Sequence, residues 1–580
     1  MPLRLTPDDL DLPPKFEKFR PAQLVGLEAL MKSDRRFSGV CAPPGVGKSL
    51  LNLAYARVRG GRTLILTATK GLQQQYLRDA ASMGMLDVRG QSNYRCVAVD
   101  KGGSLQMFGY PGATCDLGPC HAKVTCIEKT TNRCHYYNAI ASASKAKVVV
   151  TNYDFWLNAG RNTDPNVLGT FDLLILDEAH DARNKLADFC AVEINLEMLR
   201  RYVPKLPFPK TADGVGVWAT WASDTVRLIE GMLSNRENEL STPASSAPTT
   251  QSSARGHISQ HVELTSLARS LSALAGAGKW QNANQPKRNA RMPGLTSDWV
   301  SEETRHGIRW APLWGHHYAE RYLFRGIPRV VLTSATITED SLAYLGISKA
   351  ESDFIEVKSS FIAKRRPIYY VDTMHVGKVE IPAVRLSHRM DDTQRRAWMG
   401  LIDEWIDLRL HWKGIIHSVS YGRALEIIRD SRHSAIMMTH RDSRDLPAAL
   451  ERFRASPAPC ILVSPSLTEG VDFPYDACRH TIIGKVPFID TRSPLIKARV
   501  AADREYGNDV AAVSIMQGVG RGMRAPDDTN ETLIADGHWN WFRMKIKWPK
   551  YYREAFRQVS RVPPPLDPEK MRVNHGGPKR

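Results

Sequence analysis

The tract Ala42-Pro-Pro-Gly-Val-Gly-Lys-Ser49 follows an apolar, strand-like run and precedes a helix-like one. Small residues at Gly45 and Gly47 let backbone amides wrap phosphate groups. Lys48 has the reach for β- and γ-phosphates, and the Ser49 hydroxyl suits a Mg²⁺ ion. With Pro44, Val46 and Leu50 alongside, these residues read as a P-loop with Ala in its first position. A second constellation, Asp177-Glu178-Ala179-His180, follows the apolar run Leu173–Leu176. At a strand end Asp177 would hold Mg²⁺, directly or through water, and Glu178 would orient and deprotonate an attacking water. An acidic pair after a strand is common, but with a P-loop in the same chain it points to hydrolysis of ATP.

A third grouping is made of thiols. Five of the nine cysteines, Cys96, Cys115, Cys120, Cys126 and Cys134, fall in one short stretch. Clustered thiols in a reducing compartment bind metal or do redox chemistry more often than they form disulfides. A [4Fe–4S] cluster takes four thiolates. Zinc takes four as well, and His121 and His135 beside cysteines offer further donors. The CxxC pair typical of zinc ribbons is absent. Spacing alone leaves iron–sulfur and zinc open.

The elements that must hold these residues follow from hydrophobic patterning. Nine short, β-branched runs recur: 38–42, 63–69, 147–152, 173–178, 329–335, 413–418, 460–465, 480–486 and 531–536. Each is followed by a polar or glycine-rich turn, as in buried parallel strands with functional loops at their carboxyl ends. The fold class is therefore α/β, with two strand groups at roughly 37–335 and 413–536. Two stretches interrupt it: the cysteine segment 92–140, and 181–306, which reads as mainly helical. Residues 239–257, rich in Ser, Thr, Ala and Pro, read as a loop.

Bulk properties agree. The chain has 580 residues and a formal charge of +18, from 79 Lys+Arg against 61 Asp+Glu, which favours a polyanionic partner such as nucleic acid. No signal-peptide pattern opens the sequence, and no apolar run nears the roughly 18 residues of a membrane span. The expectation is a cytoplasmic protein with no membrane partner.

Further motifs appear in the order of superfamily 2 helicases, which the chain resembles. Phe19-Arg-Pro-Ala-Gln23 looks like the adenine-side motif, with Arg20 and Gln23 as its readers. Residues 66–76 look like motif Ia, and 333–336 (TSAT) like motif III. Residues 467–474, with Thr468 and Asp472, look like motif V, and 517–524 (QGVGRGMR) like motif VI. In motif VI, Arg521 and Arg524 would close on ATP from a second domain and stabilise charge on the departing phosphoryl group, while Gln517 senses phosphate or water.

The cysteine stretch between motif Ia and the acidic pair is similar to the iron–sulfur domain of the XPD/DinG branch. Cys96 in SNYRC matches the branch's first ligand position and Cys134 its last. Cys115, Cys120 and Cys126 compete for the other two, the gap after Cys96 favouring Cys115.

The resemblance implies two RecA-like P-loop domains with an inserted iron–sulfur domain and a mainly helical Arch-like insertion. Motor domain 1 would occupy 1–91, 141–180 and 307–345. The iron–sulfur domain would span 92–140, the Arch-like insertion 181–306, and motor domain 2 with a basic tail 346–580. It implies an ATP-dependent DNA helicase with Mg²⁺ and a [4Fe–4S] cluster, travelling 5′→3′ on single-stranded and forked DNA. Thr69, Lys70, Gln73 and Thr468 are the expected DNA contacts. Protein partners of a repair, replication or defence complex are expected as well. The alternatives are a translocase, an RNA-directed remodelling ATPase, or a zinc-bearing motor subunit of an assembly.

Overall fold

The computed structural model describes residues 5–101, 112–120, 126–162, 166–211, 213–241, 251–283, 299–359, 361–387, 389–465, 473–523 and 527–571. Arg524, Thr468, Asp472, His121 and the basic tail beyond Met571 lie outside them.

The strands are, in chain order, β1 (Phe37–Cys41), β2 (Thr63–Thr67), β3 (Leu86–Asp87), β4 (Val148–Asn152), β5 (Leu173–Asp177), β6 (Val192–Asn195), β7 (Trp299–Thr304), β8 (Gly307–Pro312), β9 (Arg329–Ser334) and β10 (Ser352–Glu356). They continue with β11 (Ile368–Val371), β12 (Thr373–Val376), β13 (Val379–Pro382), β14 (Lys413–His417), β15 (Met437–Met438), β16 (Cys460–Ser464), β17 (His480–Ile483), β18 (Glu531–Ile534) and β19 (Phe556–Val559). Two seven-stranded sheets dominate, ordered β10-β1-β9-β5-β2-β4-β3 and β15-β16-β14-β17-β18-β11-β19. Every pairing in both is parallel.

Alternation of side chains gives each sheet two cores. On the first, Leu64, Leu66, Leu174, Leu176, Val330 and Leu332 face one apolar layer. Val40, Ile65, Ile175 and Val331 face the other. The second sheet divides likewise, with Ile416, Val463 and Ile482 on one side and Ile483, Ile534 and Tyr370 on the other. Burial on both faces explains why the central strands read as unbroken apolar runs. All nine such runs are strands.

The cysteine segment lies between β3 and β4. In the second insertion, the helices Val215–Ser241 and Gln251–Ala283 pack along each other through Trp218, Ile229, Leu264, Leu267 and Leu271. Val192, Ile194, Ile308 and Trp310 join that core from an antiparallel three-stranded stem, β6-β8-β7.

The stem corrects two expectations. Residues 192–195 were expected to be helical and form β6, and 307–312, expected to rejoin the first motor, form β8 of the stem. A stem exposed on one face alternates polar with apolar residues, so it lacks the unbroken runs that marked the motors. The first motor domain also runs past residue 345, because β10 pairs with β1; it is a half-buried edge strand. Helix extends to Ser241 and resumes at Gln251, so only 242–250 of the expected loop remain, outside the described residues. Among the described residues, no helix is long and apolar enough to cross a membrane.

Candidate nucleotide cleft and thiol site

The P-loop leaves the carboxyl end of β1 and turns on two left-handed glycines, Gly45 (φ +73°) and Gly47 (φ +88°). Only glycine takes such angles without strain. Gly47 then starts the helix Lys48–Arg59. A Cβ on Gly45 would sit 2.0 Å from the Phe361 ring, so that ring lies directly on the loop. Gln23 donates from Nε2 to the carbonyls of Val46 (2.9 Å) and Gly47 (3.1 Å), and Arg20 donates to the Gly45 carbonyl. The expected adenine readers thus brace the loop backbone. Beside them a cavity of about 360 Å³ is lined by Phe16, Glu17, Arg20, Gln23, Ser49 and Leu50, among others. Phe16 and Glu17 carry no motif and escaped the sequence reading.

Asp177 ends β5, 2% exposed. Its carboxylate accepts from Tyr76 Oη (3.0 Å), Thr333 Oγ1 (3.4 Å) and the Glu178 amide (3.0 Å). Asn52 ties the same group together, donating to Tyr76 Oη (2.9 Å) and Thr333 Oγ1 (3.1 Å). Ser49 also bonds to Tyr76, which brings the expected Mg²⁺ ligands Ser49 and Asp177 to one phenol. Burial, then the neighbouring Glu178, push the Asp177 carboxyl up despite Lys48. A buried carboxylate held by hydroxyls and one amide fits a cation.

Glu178 adopts φ +49°, a strained setting for a side-chain-bearing residue and one found at functional sites. It meets Lys48 Nζ at 3.0 Å. Burial would push its carboxyl up, but Lys48, His180 and Arg521 outweigh that and hold it low. Arg521 belongs to the second motor domain, so the lysine of one lobe and the arginine of the other act on one carboxylate.

His180 completes the contact between lobes. Its Nδ1 lies 2.8 Å from Ser334 Oγ of the TSAT tract, and its Nε2 lies 2.6 Å from Gln517 Nε2. The Gln517 amide donates, so Nε2 carries the lone pair and Nδ1 carries the proton for Ser334. Burial, with Lys48, Arg183 and Arg521 adding, lowers the imidazole pKa to about 4 and keeps it neutral. Gly520 packs so tightly on the P-loop that a Cβ there would lie 3.0 Å from Pro44 Cγ. Nearby, Tyr344 Oη donates to Asp503 (2.6 Å), and Arg183 stacks 4.7 Å from the Tyr344 ring.

At the expected DNA surface, Thr69 caps the helix Lys70–Ala80, accepting from Leu72 N at 3.3 Å, and Lys70 is exposed. Gln73 is a correction. It is fully buried, and its amide donates to the Val88 carbonyl at 3.0 Å, so it faces the core and cannot reach a phosphate.

In the thiol segment, an antiparallel bridge pairs Arg95 with Thr114, and Cys96 and Cys115 flank it, bonded through their backbone N–H groups to the Ala113 and Tyr94 carbonyls (2.8 Å each). Cys96, Cys126 and Cys134 each precede the first residue of a helix, and Cys115 opens a 3₁₀ turn. These four are buried in one core, while Cys120 is half-exposed. Burial pushes the Cys96 thiol up, and the Cys126 and Cys134 sulfurs add to it. Cys120 rises to about 11 by burial, then through Cys126, Cys134 and Cys96. Cys115 shifts the same way through burial, then Cys134, Cys96 and Cys120. Cys96 and Cys120 thus each interact with three or more of the other sulfurs, and Cys115 interacts with Cys134, Cys96 and Cys120. A Cβ on Gly118 would lie 2.8 Å from Cys96 Sγ, so the glycine lets the chain close over that sulfur. Soft sulfur donors gathered in one segment, four of them buried, suit a thiolate-bound cluster in donor chemistry. Among the described residues, no group of three or more His, Cys, Asp or Glu side chains is placed to hold a single metal ion.

Parts of the chain are similar to known proteins. A helicase C-terminal domain family model matches residues 416–555. The ATP-dependent DNA helicase YoaA of Haemophilus influenzae is 33% identical over 119 residues, 19% of this chain and 18% of that protein. The Escherichia coli YoaA is 34% identical over 95 residues, 15% of each. The chain thus spans under a fifth of the curated relatives it matches. Among solved structures, an XPD helicase aligns over 93% of this chain and all of its own, with TM-score 0.58 and 15% identity. S. tokodaii Xpd4 aligns over the same shares, with TM-score 0.55 and 13% identity. Residues 416–555 thus match a helicase C-terminal domain, and the two RecA-like lobes share the fold of the XPD structures.

Proposed function

We propose that the chain is an ATP-dependent DNA helicase whose two motor lobes close on one nucleotide. The observation that carries this reading is that Gln517 of the second lobe meets His180 at 2.6 Å, beside Glu178, which the P-loop Lys48 of the first lobe holds at 3.0 Å.

In this reading phosphates enter the P-loop and draw Lys48 from Glu178. The freed carboxylate, held ionised by neighbouring cations, takes the proton of the attacking water. Arg521 stabilises charge on the departing phosphoryl group, with Arg524 of the same motif. Ser49 and Asp177 would hold a Mg²⁺ ion, which would supply positive charge beside the phosphates. The adenine base would occupy the cavity beside Phe16, Arg20 and Gln23. Neutral His180 reports closure, bonding the TSAT tract on one side and motif VI on the other. Hydrolysis then becomes movement of one lobe against the other.

Single-stranded DNA would cross the carboxyl edges of both sheets, past Thr69 and Lys70 in one lobe and Thr468 in the other, in the 5′→3′ sense the family implies. Four of the five clustered thiols would ligate a [4Fe–4S] cluster, which supplies a rigid clasp for the strand-separating domain. Zinc is the less favoured occupant. Charge of +18 supports a nucleic-acid partner.

Lys48→Ala is the test. DNA-stimulated ATP hydrolysis and separation of duplexes with single-stranded overhangs should both vanish. Unchanged turnover would remove the P-loop assignment. Turnover on RNA alone, or without strand separation, would replace the DNA helicase reading with a remodelling ATPase or translocase.

A further inference from the structure

The helix Ala182–Cys190 runs from the DEAH box directly into β6, the first strand of the stem. Asp188 near its end pairs with Arg309 of β8 at 3.0 Å. Arg309 also pairs with Glu302 at 3.2 Å, its register partner on β7. Cross-strand opposite charges are an ordinary feature of a sheet.

The other oxygen of Glu302 leaves the stem. It accepts from Ser493 Oγ and from the Leu495 backbone N–H (3.3 Å), in the first turn of the helix Pro494–Ala502 in the second motor domain. A carboxylate is favoured there, because the first-turn amides of a helix have no partner within it. Glu302 is 17% exposed and its two oxygens serve two different bodies. Burial would push its carboxyl up, but Ser493, Leu495 and Arg309 outweigh that. Such charge-assisted, part-buried bonds outrank the exposed ion pairs that contribute little.

The helix so held leads straight to the helix Tyr506–Val519, which carries Gln517, with Arg521 following. Its middle is fixed too: Arg499 donates to the Leu313 carbonyl at 2.8 Å. A continuous path therefore runs from the DEAH box through Asp188, Arg309 and Glu302 to the helix that feeds motif VI.

We propose that Glu302 is a positioning residue that fastens the Arch-like stem to the helix leading into motif VI, so that nucleotide-driven movement of the second motor domain is carried to the insertion. This rests on the helicase reading. Glu302 touches neither nucleotide nor the thiols. Its role is transmission.

The test uses the full chain with Glu302→Ala and Glu302→Gln. For Glu302→Ala, the DNA-stimulated kcat and KM for ATP should stay within about twofold, while base pairs separated per ATP fall roughly tenfold. Glu302→Gln keeps an oxygen for Ser493 and Leu495 but loses the charge facing Arg309, and should fall between. Dyes on the insertion and on the first motor domain give a second readout. A non-hydrolysable ATP analogue should change their distance in the wild type and not in Glu302→Ala. The proposal is overturned by unaltered coupling in Glu302→Ala, by a parallel loss of ATPase activity and melting temperature, or by a distance that ignores nucleotide in the wild type. A wild type that shows the distance change yet separates no strands would sustain the clasp and remove the helicase reading.

Discussion

Gln517→Ala isolates the contact on which closure depends. Its amide donates to His180 Nε2 at 2.6 Å, and His180 is 8% exposed on its side chain. Losing a neutral hydrogen bond costs about 0.5–1.5 kcal/mol, and leaving the buried imidazole nitrogen without a donor costs about 1–3 kcal/mol. If the bond forms only as the lobes close, that loss appears in turnover. At 1.36 kcal/mol per tenfold, 1–3 kcal/mol slows kcat by roughly 5- to 150-fold. KM for ATP should move little, since P-loop contacts persist.

The assay is DNA-stimulated ATP turnover for wild type, Gln517→Ala, His180→Ala and the double variant. Residues joined by one bond should show a coupling of about 0.5–1.5 kcal/mol, so the double variant is faster than the product of the single effects would give. Strictly additive effects would refute this reasoning and return Gln517 to a direct role on phosphate or water. An unchanged kcat in Gln517→Ala would remove both roles.

Cys134→Ser should lose bound iron, its visible absorbance and strand separation while keeping some ATPase activity; a variant that retains about four irons per chain shows that Cys134 is not a ligand. Zinc in the anaerobically purified wild type would replace the iron–sulfur assignment. Acid should destabilise the protein through three buried, neutral imidazoles: burial lowers His180 and His417 to about 4 and His480 to about 3, from 6.5. Their folded values lie below the unfolded one, so this stability is complete above about pH 6.5 and drains as pH falls toward the folded values. Each contributes about 1.4 kcal/mol per pH unit in that window, up to roughly 4 kcal/mol together at pH 5.5. Asp509 and Asp177, each raised to about 6 by burial, oppose the trend there and offset part of it. Urea midpoints at pH 7 and 5.5 check the sign, and an equal or higher midpoint at 5.5 contradicts it.

The motor strands were legible because burial on both faces writes a local signal, and the P-loop because left-handed glycines are needed at fixed positions. Gln73 shows the limit of that reading. Its motif marks a segment, but only the third dimension shows that the side chain turns into the core. Tyr76 and Thr333 lay in recognised motifs, but their bonds to Asp177, and the Asn52 amide that ties the two hydroxyls together, join residues across long stretches of chain and could not be read from sequence. The stem was hidden for a different reason: its half-exposed strands alternate, and alternation over a few residues competes poorly with helical periodicity.

One consequence concerns why the insertion interrupts the chain just after the DEAH box. The strand bearing Asp177 and Glu178 must lie centrally in its sheet to face the P-loop, and β5 does, between β9 and β2. A segment leaving its carboxyl end emerges on the side where the second lobe closes. Asp188, ten residues past Glu178, reaches Arg309 of the stem at 3.0 Å. An insertion leaving the amino end of a strand would sit on the far edge of the sheet, remote from His180 and Gln517. The position of the insertion thus sets the stem near the acidic pair at the end of β5, and Arg309 and Glu302 link it onward to the helix Pro494–Ala502.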